Sequence, residues 1–146
     1  MTLDGVLGEF ESEGGEDDAG MAPASTRERS PTGGAWVTRF NREENRIDYA
    51  GGAAPPPGVQ DRASVLIQLA GMGLAEPDQM QDVIEIVVGG AAGTGIARFR
   101  VMGQEEIDTG IGRLAAVHLA QLAPSGERRV ELWLAPQQHW LPVRIR

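Results

Sequence analysis

Few side chains in this sequence could do chemistry: its 146 residues include two histidines, no cysteine and no lysine. These absences exclude a phosphate-loop lysine, a Schiff base, a thiol nucleophile and a thiolate metal site. His118 and His139 would need carboxylates beside them to complete a metal site. His118 lies inside an alternating apolar stretch and is predicted to be a hydrogen-bonded sheet residue, and His139 falls in a turn. We therefore predict no metal and no cofactor.

The serine and acidic residues also lack the neighbouring groups that catalysis requires. Ser64, Asp61 and either histidine could be written as a hydrolase triad, but no glycine-flanked nucleophile elbow surrounds Ser64. The acidic cluster Glu105, Glu106 and Asp108 is predicted to be solvated, because adjacent acids on a strand end point in different directions. The sequence therefore predicts that the chain is not an enzyme.

A glycine-rich segment, Gly89 to Gly95, follows an apolar strand and matches the spacing of a dinucleotide-binding loop. Such a loop must open a helix whose N-terminus meets the pyrophosphate. Here the next residues, ARFRVMG, alternate with period two, so the segment is predicted to be a hairpin turn without a bound nucleotide.

The charge is unevenly distributed along the chain. The formal net charge is −8, but residues 1–18 contain seven acids and no base, so the remainder is nearly neutral. Its arginines are scattered and often paired with acids, which predicts no nucleic-acid binding. No apolar run reaches the ~18 residues of a membrane span, and MTLDGVLGEF lacks the basic and apolar regions of a signal peptide.

The elements fall into a flexible part and a folded part. Residues 12–34 are rich in glycine, proline and charge, so we predict that segment 1–34 is mostly flexible and that residues 35–146 form a single β-rich domain. A hairpin of AWVTRF and RIDYA comes first, followed by the connector GGAAPPPG. Apolar residues at helical spacing, with Asp61 as cap and Gly71 or Gly73 as stop, predict one helix near 61–72.

Five alternating stretches then end the chain: VIEIVV, IARFRVMG, LAAVHLAQL, RVELWLA and WLPVRIR. Their short connections allow only antiparallel pairing. The sequence therefore predicts a mainly β fold, a curved antiparallel meander resembling half a barrel, with the helix packed on it.

Several motifs, in order, carry a family resemblance. GVQDRASVLIQLA, FRVMGQEEIDTGIGRLAAVHL, VELWLAP and LPVRIR resemble signatures of the bacterial family called domain of unknown function 3108. The earlier SEG, AGMAPASTRER and TRFN are similar to its upstream progression, and the resemblance spans about residues 11–146. The family has no assigned activity, and the resemblance implies exported or envelope proteins of Gram-negative bacteria with a mostly antiparallel β fold. It implies a periplasmic or envelope location and a chain that is a piece of a longer protein.

Three polar residues, Gln60, Asp61 and Arg62, are the most distinctive ones in that family pattern. Their position at the predicted helix start favours capping and strand-clamping roles over catalysis.

With catalysis and nucleic-acid binding disfavoured, the sequence and the resemblance favour a non-catalytic binding or assembly module of the cell envelope. Its partner would be a lipid or other apolar small molecule, held in a concave sheet face. The residues expected near that concavity are Trp133, Trp140, Leu119, Val117, Phe99, Leu66 and Leu69. The alternative is that these residues fill a closed core and that an open sheet edge recruits a protein partner.

Overall fold

The structure is a computed structural model that describes residues 2–5, 8–18, 20–29, 34–44, 46–48, 59–90, 93–123 and 129–146. Strands account for 65% of the described residues. They form two antiparallel sheets, and one of these is curled like half a barrel. The described residues contain one α-helix, α1 (Ser64–Ala75). Short 3₁₀ turns occur at Pro77–Gln79 and Pro136–Gln138.

Each sheet has five strands that follow one another in chain order. The first contains β1 (Thr2–Gly5), β2 (Gly8–Asp17), β3 (Gly20–Arg29), β4 (Ala35–Asn41) and β5 (Arg46–Asp48). The second contains β6 (Val83–Gly90), β7 (Gly93–Thr109), β8 (Gly112–Gln121), β9 (Glu131–Ala135) and β10 (Leu141–Ile145). Both are meanders, because each strand pairs with its sequence neighbour.

The structure confirms the mainly β class, the hairpin of β4 and β5, and the five C-terminal strands. The helix begins at Ser64, three residues after Asp61, and it ends at Ala75, so the predicted stop at Gly71 or Gly73 is wrong. The prediction of one sheet is corrected to two, because β2 and β3 add to the β4–β5 hairpin. Tyr49, the connector GGAAPPPG and residues 124–128 lie outside the described residues.

Strands β2 and β3 lie in the segment that we predicted to be mostly flexible. Their pairing places Glu9 opposite Arg29 and Glu11 opposite Arg27, and both pairs form exposed ion pairs. Such pairs stabilise little by themselves, so the strands depend on their other face, where Ser12 and Thr26 are buried. Composition missed these strands because their buried side chains include the polar ones of Ser12, Thr26 and Glu28.

The chain divides into two compact units. The first comprises Met1–Gln68 and Ile86–Ile96, and the second comprises Leu69–Glu85 and Ala97–Arg146. The predicted boundary after residue 34 does not coincide with this division.

The two units have different interiors. In the first unit Phe40, Ile47 and Val59 form an apolar cluster against Val87. Among the described residues, the seven buried polar or charged side chains all belong to this unit: Ser12, Thr26, Glu28, Thr38, Gln60, Asp61 and Ser64. In the second unit Leu119, Leu132 and Leu134 are fully buried, and the pairing of β8 with β9 places them on one face of the sheet.

Two glycines of α1 have contrasting surroundings. A Cβ built on Gly71 would meet no atom within 4 Å, whereas one on Gly73 would lie 2.4 Å from Cδ2 of Trp140. Gly73 therefore provides the space that the Trp140 indole occupies, and Gly71 has no comparable packing role.

We expect Gly71→Ala to raise the free energy of unfolding by about 0.5–1 kcal/mol, because alanine loses less backbone entropy in a helix. Gly73→Ala should lower it by about 1–3 kcal/mol, because the added methyl overpacks against Trp140. Urea unfolding of both variants measures this difference. Equal stabilisation by the two substitutions would contradict the packing of Trp140 on the helix.

Candidate functional site

The carboxylate of Asp61 organises the start of α1. Its backbone carbonyl accepts the first helical hydrogen bond, from Val65 N–H at 3.1 Å. Its Oδ1 accepts the N–H groups of Ala63 at 2.8 Å and Ser64 at 3.0 Å. Ser64 Oγ in turn accepts the Asp61 N–H at 2.9 Å. The two residues form a reciprocal capping box in which serine replaces the usual glutamate.

The second oxygen of the same carboxylate reaches strand β2. Ser12 Oγ donates to Asp61 Oδ2 at 2.5 Å, and both side chains are buried. A buried carboxylate needs such donors, since an ionised group without partners is strongly unfavourable in the interior. Asp61 therefore joins a strand of the first sheet to the helix N-terminus.

Gln60 connects the same region to two other strands. Its N–H donates to the Val87 carbonyl and its carbonyl accepts the Gly89 N–H, both at 2.8 Å. Its Nε2 donates to the Met21 carbonyl at 2.6 Å, and the Met21 N–H donates to Gln68 Oε1 at 3.2 Å. Of the three family-pattern residues, Gln60 and Asp61 are fully buried, whereas Arg62 is exposed.

A cavity of about 310 Å³ lies beside this polar cluster. It combines two serine hydroxyls and glycine backbone with apolar side chains. We call it the serine groove, and its lining is Ser12, Glu13, Gly14, Gly15, Met21, Pro23, Ser64 and Ile67.

An irregularity in strand pairing shapes the serine groove. The register of β2 against β3 shifts between Glu13 and Gly14. A Cβ on Gly14 would lie 2.4 Å from the Ala22 carbonyl oxygen, so only glycine fits this close approach. Bulges of this kind re-aim strand residues and often adjoin functional sites.

A second cluster surrounds Trp133 in the other unit. The Trp133 Nε1–H donates to Glu105 Oε1 at 2.5 Å, and the His118 ring stacks on the indole at 4.3 Å and 9°. The guanidinium carbons of Arg144 and Arg146 lie 5.5 and 5.8 Å from the indole centroid. The side chain is therefore enclosed, with 4% of its surface exposed.

His118 differs from the expected hydrogen-bonded sheet residue. Its Nδ1 lies 3.5 Å from Glu105 and its Nε2 lies 3.8 Å from Glu131 Oε2. The buried Nε2 has no hydrogen-bond partner in the described ranges of the chain, so stacking on Trp133 positions the ring. His139 is exposed in a left-handed turn with φ of 54°. Across the described residues, no group of three or more histidines and acids could hold a metal ion.

The acidic cluster of β7 is exposed, and its members have different neighbours. Glu105 bonds to Trp133, while Glu106 and Asp108 lie 4.0 and 3.3 Å from Arg113. The glycine-rich segment, apart from Ala91 and Ala92, which lie outside the described residues, belongs to β6 and β7. No helix opens after it, as the period-two pattern predicted.

The residues predicted to line an apolar concavity are core residues in this structure. Trp133, Leu119, Val117, Phe99, Leu66 and Leu69 are all buried. Trp133 belongs to a cluster with Ile107 and Ala116, and Trp140 is half-buried against Gly73. Burial gives these side chains a packing role, and ligand binding by them stays a prediction.

Sequence reasoning missed Ser12, Glu28 and the serine groove. A signal was present, because Phe10 and Ser12 alternate with Glu9, Glu11 and Glu13 while Arg27 and Arg29 carry the complementary charge. Read as a charged strand pair, that alternation predicts β2 and β3.

A family described as "Protein of unknown function (DUF3108)" matches residues 12–146. The chain belongs to the DUF3108 family. Among curated proteins and among solved structures, none matches it significantly. The match covers the Asp61 cluster, the serine groove and the Trp133 cluster of this DUF3108 chain. None of its described helices is long and apolar enough to cross a membrane.

We expect Asp61→Ala to lower the free energy of unfolding by about 2–4 kcal/mol, because it removes a helix cap and leaves buried donors unpaired. Asp61→Asn should cost less, since asparagine is an equally good N-cap. Urea unfolding followed by circular dichroism measures both variants.

Asp108→Ala is the matched control, because the Asp108 side chain is 81% exposed and its removal should change stability by no more than about 0.5 kcal/mol. An Asp61→Ala effect as small as that of the control would show that the capping cluster contributes little.

Proposed function

We propose that this DUF3108 chain is a non-catalytic binding module that holds a small, neutral amphiphilic molecule in the serine groove. The observation that carries the proposal is the mixed lining of this 310 Å³ cavity. Ligand sites occupy about 300–1,000 Å³ and combine apolar walls with a few placed polar groups. The groove fits the lower end of that range.

The lining favours a neutral ligand over an anionic one. Met21, Pro23 and Ile67 supply apolar contact, and Ser12 and Ser64 supply hydroxyl groups. Among the described lining residues, Glu13 is the charged one and none is basic. A carboxylate or phosphate headgroup would therefore meet a like charge, whereas a ligand hydroxyl could donate a hydrogen bond to the Glu13 carboxylate.

The non-catalytic part of the proposal rests on the bonds that the groove hydroxyls already make. Ser12 donates to Asp61, and Ser64 donates to the Asp61 carbonyl while accepting its N–H. A serine nucleophile needs a general base that takes its proton and an oxyanion site beside it. Here the Asp61 carboxylate is fully buried and its other oxygen accepts two N–H groups at the helix start, which is a structural use. The envelope location is carried over from the family resemblance.

A protein partner at an open sheet edge is less well supported. Strand β10, at one edge of the second sheet, contains Pro142 and a register shift between Pro142 and Arg144. Proline and bulges at an edge oppose the pairing of a further strand. Near the other edge, Gln60 already pairs with β6 at Val88.

Titration with 1-monooctanoylglycerol, followed by backbone amide chemical shifts, tests the proposal. We expect saturable shifts at Gly15, Met21 and Ile67, with weaker binding of octanoate because of Glu13. Ile67→Gln should weaken binding about tenfold, since it replaces apolar contact by a polar group. Leu74→Gln is the matched control, because Leu74 is on the same helix, is 63% exposed and is not part of the groove.

Shifts that avoid the groove, or equal affinities of the two glutamine variants, would contradict the proposed site. Hydrolysis of a neutral ester that is abolished by Ser12→Ala or Ser64→Ala would contradict the non-catalytic role.

A further inference from the structure

Glu28 is a buried acid whose carboxylate is not fully hydrogen-bonded. The residue is 8% exposed, and its buried Oε1 has no hydrogen-bond partner among the residues that the structure describes. Native structures contain few buried carboxylate oxygens that lack a hydrogen-bond partner. A buried acid with an unpaired oxygen, such as Glu28, indicates that the residue serves a function other than stabilising the fold.

Glu28 lies between two aromatic residues on one face of the first sheet. The strand register places it opposite Phe10 of β2 and opposite Trp36 of β4. Side chains directly opposite on neighbouring strands lie about 4.5–5.5 Å apart at Cβ. Trp36 is 49% exposed, so the row runs from the buried carboxylate to an aromatic ring at the surface.

Gly90 provides the space that the carboxylate occupies. A Cβ on Gly90 would lie 2.8 Å from Glu28 Oε1. Any larger residue at this position would displace the end of the glutamate side chain.

The two arginines next to Glu28 in the sequence form ion pairs with other acids. Arg27 pairs with Glu11, and Arg29 pairs with Glu9. As neighbours of Glu28 on β3, these two arginines point to the opposite face. The chain contains no lysine, so no lysine of its own can supply an ammonium group.

We propose that Glu28, Phe10 and Trp36 form a binding site for a small organic ammonium ion. The carboxylate supplies a charged hydrogen-bond acceptor for the ammonium N–H groups. The two aromatic rings attract a cation through their π faces and pack against its alkyl chain. The half-exposed Trp36 forms the entrance. This site shares no residue with the serine groove, so either can fail while the other holds.

Titration with n-butylammonium at neutral pH tests the proposal, with n-butanol as the uncharged match. The indole N–H resonance of Trp36 and the amide of Glu28 report binding by NMR. We expect saturable shifts with the amine and none with the alcohol. A tripeptide with a central lysine is titrated in parallel: equal affinity assigns recognition to the ammonium group alone, and binding of the peptide only would overturn the small-ion assignment.

Glu28→Gln separates binding from stability. We expect this variant to lose at least about tenfold in amine affinity, as for the loss of a charged hydrogen bond, while urea unfolding shows equal or greater stability. Glu106→Gln is the matched control, because Glu106 is 69% exposed on the other sheet. Unchanged amine affinity in Glu28→Gln overturns the proposal.

Gly90→Ala gives an independent test that leaves the carboxylate in the chain. Its methyl should displace Glu28 Oε1 and weaken amine binding severalfold, whereas Gly95→Ala should not, since a Cβ there meets nothing within 4 Å. Trp36→Ala should also weaken binding severalfold, and Trp36→Phe should have a smaller effect, because tryptophan is the stronger π partner. Equal affinity in all of these variants would exclude the site.

Discussion

The buried carboxylate of Asp61 organises the first unit, because it must receive hydrogen bonds from several donors. Asp61 is completely buried, and its two oxygens receive N–H groups from the first turn of α1 and the hydroxyl of Ser12 on β2. These donors come from segments 49 residues apart in the chain. The carboxylate and its donors can only be buried together, because each donor would lack a hydrogen-bond partner without the carboxylate.

Polar burial is concentrated in the first unit. Thr26 donates to the Glu11 carbonyl at 3.0 Å, and Gln60 holds the backbone at Met21, Val87 and Gly89. Hydrogen bonds are directional, so such a core specifies one arrangement of strands, whereas an apolar core of similar volume tolerates several. Within the described part of the chain, Glu28 Oε1 is buried without a hydrogen-bond partner, in contrast to the two carboxylate oxygens of Asp61.

The second unit uses a different solution. Its fully buried leucines lie on β8 and β9, and Trp133 is enclosed by Glu105, His118 and two arginines. An aromatic residue with one polar end can be buried when a carboxylate receives its N–H. The DUF3108 match therefore covers two units with different interiors. Hydrogen bonds between buried polar groups stabilise the first, and packing of leucine and tryptophan side chains stabilises the second.

The sequence alone determined the elements with strong periodicity: α1, the β4–β5 hairpin and the five strands from Val83 onward. Apolar alternation is a local signal, and it is sufficient where one face of a strand or helix is buried against apolar neighbours. Asp61 was also found locally, because a cap acts on the turn that follows it. Only the tertiary structure placed Ser12 on Asp61, set Glu28 between Phe10 and Trp36, and formed the serine groove. These features join residues that are far apart in sequence, and a buried polar face looks like a flexible segment until its hydrogen-bond partners are known.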